Sequence, residues 1–187
     1  ITPSSVENID IRAEWFFATD TNLTVSLFYK DITDPIELFE APASDTTILR
    51  EIVNAESAEL KGIELDGMKN LGFIGKPFES FFIQANATIL DSELVAGVNA
   101  DAPTNAKREL ANASDYVANV ILGFDSMNAQ HSATLVYNVF GERLYVAGRN
   151  GAPDAFEQPF HSFDMTYSWY PTDSMTLKFK LQNMLNA

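Results

Sequence analysis

The chain of 187 residues has the length of one domain. It has no cysteine, which removes disulfides and thiolate metal sites, and its formal charge of −14 argues against a nucleic-acid partner, because phosphate binding needs a basic surface. No run of about 18 apolar residues is present, so no transmembrane helix is expected; barrel strands escape that test, since half their residues are polar.

Eight segments alternate apolar and polar residues, as the two faces of a strand require. The first is Ile9 to Phe17, with Ile9, Ile11, Ala13, Trp15 and Phe17 on one face and Asp10, Arg12 and Glu14 opposite. Leu23 to Asp31 follows, with Leu23, Val25, Leu27 and Tyr29 aligned against Thr24, Ser26 and Lys30. The third, near Ala58 to Lys69, is weaker: Ile63 and Leu65 oppose Glu64 and Asp66. Phe81 to Ile89, Tyr116 to Phe124 and Ser132 to Phe140 are the fourth to sixth. The seventh, His161 to Trp169, and the eighth, Met175 to Asn183, are the cleanest, with Phe163, Met165, Tyr167 and Trp169 facing away from Asp164 and Thr166 in one, and Leu177, Phe179 and Leu181 facing away from Lys178 and Lys180 in the other.

The connections alternate in length. Ala18 to Asn22, Asn70 to Ser80, Asp125 to His131 and Tyr170 to Ser174 are short; Ile32 to Ser57, Leu90 to Asp115 and Gly141 to Phe160 are long. Short turns on one rim and long loops on the other are the plan of an outer-membrane barrel. Nine residues at about 3.3 Å each, tilted about 40°, span on the order of 23 Å, close to the apolar band of such barrels. Within the first long loop, Pro35 to Phe39 and Thr47 to Glu51 can continue as a ladder with Ala43 to Asp45 at the tip. A soluble β-sandwich also alternates in this way and stays open on pattern alone. No repeat of fixed period is present.

Four motifs add a resemblance. Asn54-Ala-Glu-Ser-Ala-Glu-Leu-Lys-Gly-Ile-Glu-Leu-Asp-Gly67 resembles the N-x-x-x-A-x-x-x-G-I-E-x-x-G strand of TonB-dependent outer-membrane receptors. Tyr116-Val-Ala-Asn119, Tyr137-Asn-Val-Phe-Gly-Glu-Arg143 and Leu177-Lys-Phe-Lys-Leu-Gln-Asn-Met-Leu-Asn186 are similar to later strands of that family, in the family's order. The stretch Arg108 to Tyr116 departs from it by lacking the Pro and Gly that often precede the Tyr. The resemblance implies an all-β fold: an antiparallel transmembrane β-barrel, of which this chain supplies about eight consecutive strands out of 22. It implies that residues 1–187 are the C-terminal portion of that barrel, with the plug domain and the closing strand outside this chain. The opening Ile1-Thr-Pro-Ser-Ser5 has no initiator Met, basic region or apolar core of a signal peptide, so a start further upstream is expected.

The resemblance further implies a receptor in the bacterial outer membrane that imports a scarce nutrient (a siderophore, cobalamin, an oligosaccharide or a peptide) with energy relayed by TonB. The expected partners are outer-membrane lipid, the protein's own plug, TonB and the transported ligand. A passive porin and a soluble sandwich-type binding module are the alternatives.

No enzyme is expected and no cofactor is called for. G-x-S-x-G and phosphate-binding Gly-rich loops are absent, and Gly148 to Pro153 reads as a turn. No pair of carboxylates has the fixed separation that glycoside hydrolysis needs. His131 and His161 each begin a strand, on opposite rims, and do not make a metal site, which needs three or four converging ligands. Glu37, Glu40, Asp45 and Glu51 in one long loop, and Asp91, Glu93 and Asp101 in the next, read as solvated acidic surface, with a cation or cationic ligand as the sharper reading. Trp15, Phe17, Tyr29, Trp169 and Tyr170 fall near strand ends, where interface girdles sit. Tyr145 and Phe156, in the last long loop, are the candidates for stacking on a ligand. The polar face (Asp10, Arg12, Glu14, Lys30, Asp164, Lys178 and Lys180) is expected to line a lumen or meet a plug.

Overall fold

The computed structural model describes residues 1–44, 47–98 and 102–186, with side chains except at 39–44 and 47–49. In chain order the strands are β1 (Ser5–Ala18), β2 (Thr21–Thr33), β3 (Ile36–Ser44), β4 (Thr47–Asn54), β5 (Ser57–Asn70), β6 (Phe81–Val95), β7 (Lys107–Arg108), β8 (Tyr116–Asp125), β9 (His131–Phe140), β10 (Arg143–Gly148), β11 (Ala155–Glu157), β12 (Phe160–Thr172) and β13 (Met175–Leu181). Two short 3-10 turns, Leu71–Ile74 and Lys76–Phe78, join β5 to β6.

The main sheet runs β1-β2-β5-β6-β8-β9-β12-β13, every neighbour antiparallel. These are the eight segments read from alternation. Four of them run on at the long-loop end: β1 begins at Ser5, β2 ends at Thr33, β5 begins at Ser57 and β6 ends at Val95. Register is held rung by rung. One outward rung crosses seven strands through Ala13, Val25, Leu65, Ala87, Ala118, Val139 and His161. A slip by one residue would turn the apolar set of a strand to the other face.

The two faces are packed in the opposite sense to a soluble sheet. On the apolar face Ile63 is 44% and Ile89 63% exposed, whereas on the polar face Thr24 is 6% and Ser168 4% exposed. The polar side is thus the crowded side of a curved wall, and the apolar side faces out with no second layer over it among the described residues. A β-sandwich would bury its apolar faces against each other; this sheet presents them. Two glycines make room on the crowded side. A Cβ at Gly62 would lie 2.5 Å from the Phe28 ring and 2.4 Å from the Ile89 carbonyl, and one at Gly123 would lie 2.0 Å from the Phe82 ring. Each ring lies across a neighbouring strand where a side chain is missing, which pins register and fills the gap.

A second sheet, β11-β10-β3-β4, is built from the first and last long connections. β3 and β4 form the ladder anticipated over Pro35 to Glu51, pairing Leu38 with Ile52 and Phe39 with Glu51; Asp45, expected from the sequence at the tip, lies outside the described residues. β10 joins β3 in parallel through Ala147 opposite Phe39. Beneath this sheet lies the dry core of the chain: Ala55, Ala58, Leu94, Ala96 and Ala147, with Ile32, Val53 and Leu110 packed on it. The core sits at the long-loop end, which becomes a folded cap.

Candidate functional site

In the cap, side chains from all three long connections converge on one another. Four acidic residues from the first two long connections are each matched to a cation. Arg108 Nη2 donates to Glu37 Oε2 at 3.0 Å in a buried pair. Arg149 pairs with Glu51, Lys61 with Asp91 at 2.9 Å, and Lys107 with Glu93 at 2.9 Å. The solvated-surface reading gives way only at Glu37, which is buried; Glu51, Asp91 and Glu93 stay at the surface, each paired with a cation. Burial raises the Glu37 carboxyl above its usual range, opposed by the Arg108 charge. Burial also raises Glu109, helped by repulsion from Asp115, Glu142 and Asp91. No group of three or more metal-ligating side chains converges among the described residues. The Glu40 side chain and Asp101 lie outside them.

Tyr145 and Phe156 come to neighbouring strands of this cap, 55% and 47% exposed. They are not register partners. Leu144 pairs with Phe156 and Val146 with Ala155, so Tyr145 falls where the register shifts, between two buried residues. An irregularity of this kind re-aims a side chain. Arg143 holds the base of the strand pair. Its guanidinium meets Glu157 at 2.6 Å and lies 4.5 Å from the centre of the Phe140 ring. The turn read over Gly148 to Pro153 is tied down by Asp154, whose two carboxylate oxygens accept from the Gly148 amide (2.8 Å) and Asn105 (2.7 Å), and by Thr104, which donates to the Ala152 carbonyl at 2.7 Å.

Three elements of the Asn54 to Gly67 motif, Asn54, Ala58 and Gly62, have a mechanical role. The Asn54 amide accepts from the Thr2 backbone amide (2.6 Å) and donates to the Thr2 and Asp34 carbonyls (2.9 and 2.8 Å), closing the neck of the β3–β4 hairpin. Ala58 enters the dry core. Gly62 admits the Phe28 ring. Ile63 points out while Glu64 points in. In the later motifs, a Cβ at Gly141 would meet the Tyr116 ring at 2.7 Å, and the Asn183 backbone N–H donates to the Asp164 carboxylate at 2.7 Å.

The histidines lie at opposite rims, as read from the connections, and both face outward with apolar neighbours. Each has a partner that the sequence did not disclose: the Tyr167 hydroxyl lies 2.8 Å from His131 Nδ1, and the Tyr137 hydroxyl 2.7 Å from His161 Nδ1. Both strands repeat the same His-to-Tyr spacing, so antiparallel pairing makes the two contacts reciprocal. On the polar face, Arg12 donates to Glu14 at 2.5 Å, Asn119 to Asn86 at 2.7 Å and Asn138 to Ser162 at 3.0 Å. Lys178 and Lys180 stand opposite Ser168 and Thr166. Trp15, Phe17, Tyr29, Trp169 and Tyr170 are all exposed.

The TonB dependent receptor-like β-barrel family model matches residues 1–184. Solved structures with the same wall include the copper transporter OprC (TM-score 0.75, 14% identity, covering 100% of this chain and 27% of that one). The ferric yersiniabactin uptake receptor FyuA from Yersinia pestis (0.71, 16%, 98% and 25%) and the ferric-catecholate import receptor Fiu from K12 E. coli (0.68, 14%, 100% and 24%) are similar as well. This chain spans about a quarter of the length of these structures. No curated protein matches it. With a single-layer wall that is apolar outside and polar inside, and with the family's model matched along nearly its whole length, the chain belongs to the TonB-dependent receptor β-barrel family.

Proposed function

We propose that this chain is the C-terminal part of the barrel of a bacterial outer-membrane receptor that imports a scarce nutrient with energy relayed by TonB. In this reading the plug domain and closing strand lie outside residues 1–187, the short turns face the periplasm and the cap faces the exterior. The observation that carries it is the reversed wall: outward apolar rungs suit lipid, and an inward polar face suits a wet lumen or a plug. Ferric chelates and copper are named for the structural neighbours, and a ligand of that rare, bulky or metal-bearing kind suits a folded cap better than a small abundant solute does. No residue makes or breaks a bond in this proposal; the chain binds, walls and positions.

Tyr145 and Phe156 are the proposed ligand contacts. Their rings offer flat apolar faces at the cap surface, the geometry for stacking on an aromatic or chelate plane. The test is uptake by a deletion strain carrying the full-length receptor, supplied in turn with radiolabelled ferric chelates, cobalamin and oligosaccharides. Uptake of one of them should stop when TonB is removed. Uptake that continues without TonB would make the protein a passive pore. Tyr145→Ala and Phe156→Ala should weaken binding of the imported compound without changing the amount of receptor in the membrane; unchanged binding removes these two residues from the proposal.

A further inference from the structure

The outward wall is not uniformly filled. Gly67 on β5, Ala85 and Ala87 on β6 and Ala118 on β8 lie on the same face in neighbouring rungs. Larger side chains stand around them, among them Phe17 and Leu23, and the recess between has a volume of about 710 Å³. That is within the roughly 300–1,000 Å³ of sites that hold small molecules.

The recess ends at a charge. Lys69 lines it at the short-turn end, with Nζ 4.3 Å from the centre of the Phe73 ring. No carboxylate among the described residues lies within ion-pair distance of Lys69. Lys61, on the same strand and the same face but at the other rim, is neutralised by Asp91 at 2.9 Å. The chain thus supplies a counter-ion to one outward lysine and leaves the other for an anion from outside. The turn beyond Lys69 exposes Phe73, Ile74 and Phe78 beside Lys76. Exposed aromatics next to lysines suit headgroup depth, where rings sit between tails and water.

We propose that the recess seats an acyl chain of one membrane phospholipid whose phosphate is held by Lys69. An apolar trough closed by a single ammonium matches an amphiphile with an anionic head, and the membrane it faces is the source of such a molecule. The small side chains let the tail lie below the general surface of the wall, which raises its buried area over that of an ordinary boundary lipid. This inference rests on the outward orientation of the apolar face and is independent of what the receptor imports.

The experiment is native mass spectrometry of the full-length receptor released from nanodiscs containing dioleoyl phosphatidylglycerol, or dioleoylglycerol, which lacks the phosphate. The wild type should retain a single phosphatidylglycerol and retain dioleoylglycerol several-fold less. Ala87→Leu with Ala118→Leu, which fills the trough with apolar volume, should abolish retention of both. Lys69→Gln should lower phosphatidylglycerol retention about fivefold, the equivalent of the roughly 1 kcal/mol one lysine gains beside an anionic membrane surface, and bring it level with dioleoylglycerol. Lys61→Gln should leave retention unchanged. If the filled variant does not fold, the comparison of Lys69→Gln with Lys61→Gln decides alone, because both residues are exposed. Equal retention by wild type and Lys69→Gln, or binding of inorganic phosphate with no lipid retained, overturns the proposal.

Discussion

The Arg108 guanidinium meets the Glu37 carboxylate at 3.0 Å with both side chains only 5% exposed. The partners come from different long connections, so this contact locks the β3–β4 hairpin to the strand that returns toward β8. Breaking one side of such a pair strands a charge away from water. Arg108→Met should therefore loosen the cap by about 3–5 kcal/mol, read as faster hydrogen exchange in β3 and β7. Arg108→Met with Glu37→Leu should recover most of the loss, because no charge is left buried. A double variant as loose as the single one would mean that the pair holds the cap by shape and not by charge.

Glu109 gives the cap a pH response. Its pKa is raised in the folded state, first by burial and then by the nearby carboxylates Asp115, Glu142 and Asp91. A raised carboxyl binds its proton more readily when folded than when unfolded. Its favourable contribution is complete below the unfolded value, about 4.3, and is lost as pH rises through the folded value. Glu109→Gln should make the cap firmer at neutral pH and flatten its change in stability between mildly acidic and neutral solution. Hydrogen exchange in β10 across that interval measures it; a variant with the same slope as the wild type would assign the response to other groups.

The orientation of the wall can be tested on adjacent positions. Leu65 lies on an outward rung between Val25 and Ala87, and Thr88 lies on the inward rung beside it, opposite Glu64. Leu65→Arg puts a cation near the middle of the apolar band and should cost about 2–4 kcal/mol in folding into lipid vesicles. Thr88→Arg adds the same side chain to a polar face next to a carboxylate and should be much milder. Equal costs at the two positions would contradict the assignment of faces.

Gly62 and Gly123 should differ although both sit under rings. At Gly62 the obstacles are the Phe28 ring and the backbone carbonyl of Ile89, whereas at Gly123 the three nearest atoms all belong to the Phe82 ring. A ring can swing aside more readily than a paired strand can. Gly62→Ala should cost about 1–3 kcal/mol, the usual range for overpacking, and Phe28→Ala in the same chain should relieve only part of it. Gly123→Ala should cost less, and Phe82→Leu should remove that cost. Urea unfolding in detergent micelles compares the four.

The main wall was legible because lipid on one side and polar groups on the other impose the period of two that strands display. It became illegible where that contrast ends. β6 runs on to Val95, and above the apolar band its faces exchange character: Asp91 and Glu93 stand outward while Leu90 and Leu94 turn inward, Leu94 into the core, so the alternation of the band breaks while the ladder continues. β10 has six residues and β11 three, too short for a pattern, and the parallel partner of β10 comes from a distant connection. The acidic residues of the loops were visible as charges, but their partners were not: Glu37 and Arg108 are 71 positions apart. The residues of the Asn54 to Gly67 motif stood out in the sequence, whereas their duties as clamp, core and clearance follow only from what folds against them.

The parallel pairing of Ala147 with Phe39 and of Gly148 with Glu40 joins segments roughly a hundred residues apart. Those segments leave the wall at β2 and β9, with β5, β6 and β8 lying between. The pairing therefore acts as a tie-bar across an arc of the mouth. At that rim the arc cannot flatten without tearing the bar, while at the opposite rim each connection joins only strands adjacent in the sheet, and no such restraint is present among the described residues. Bending stiffness should thus be unequal along the pore axis, and shape fluctuations should concentrate at the end away from the cap.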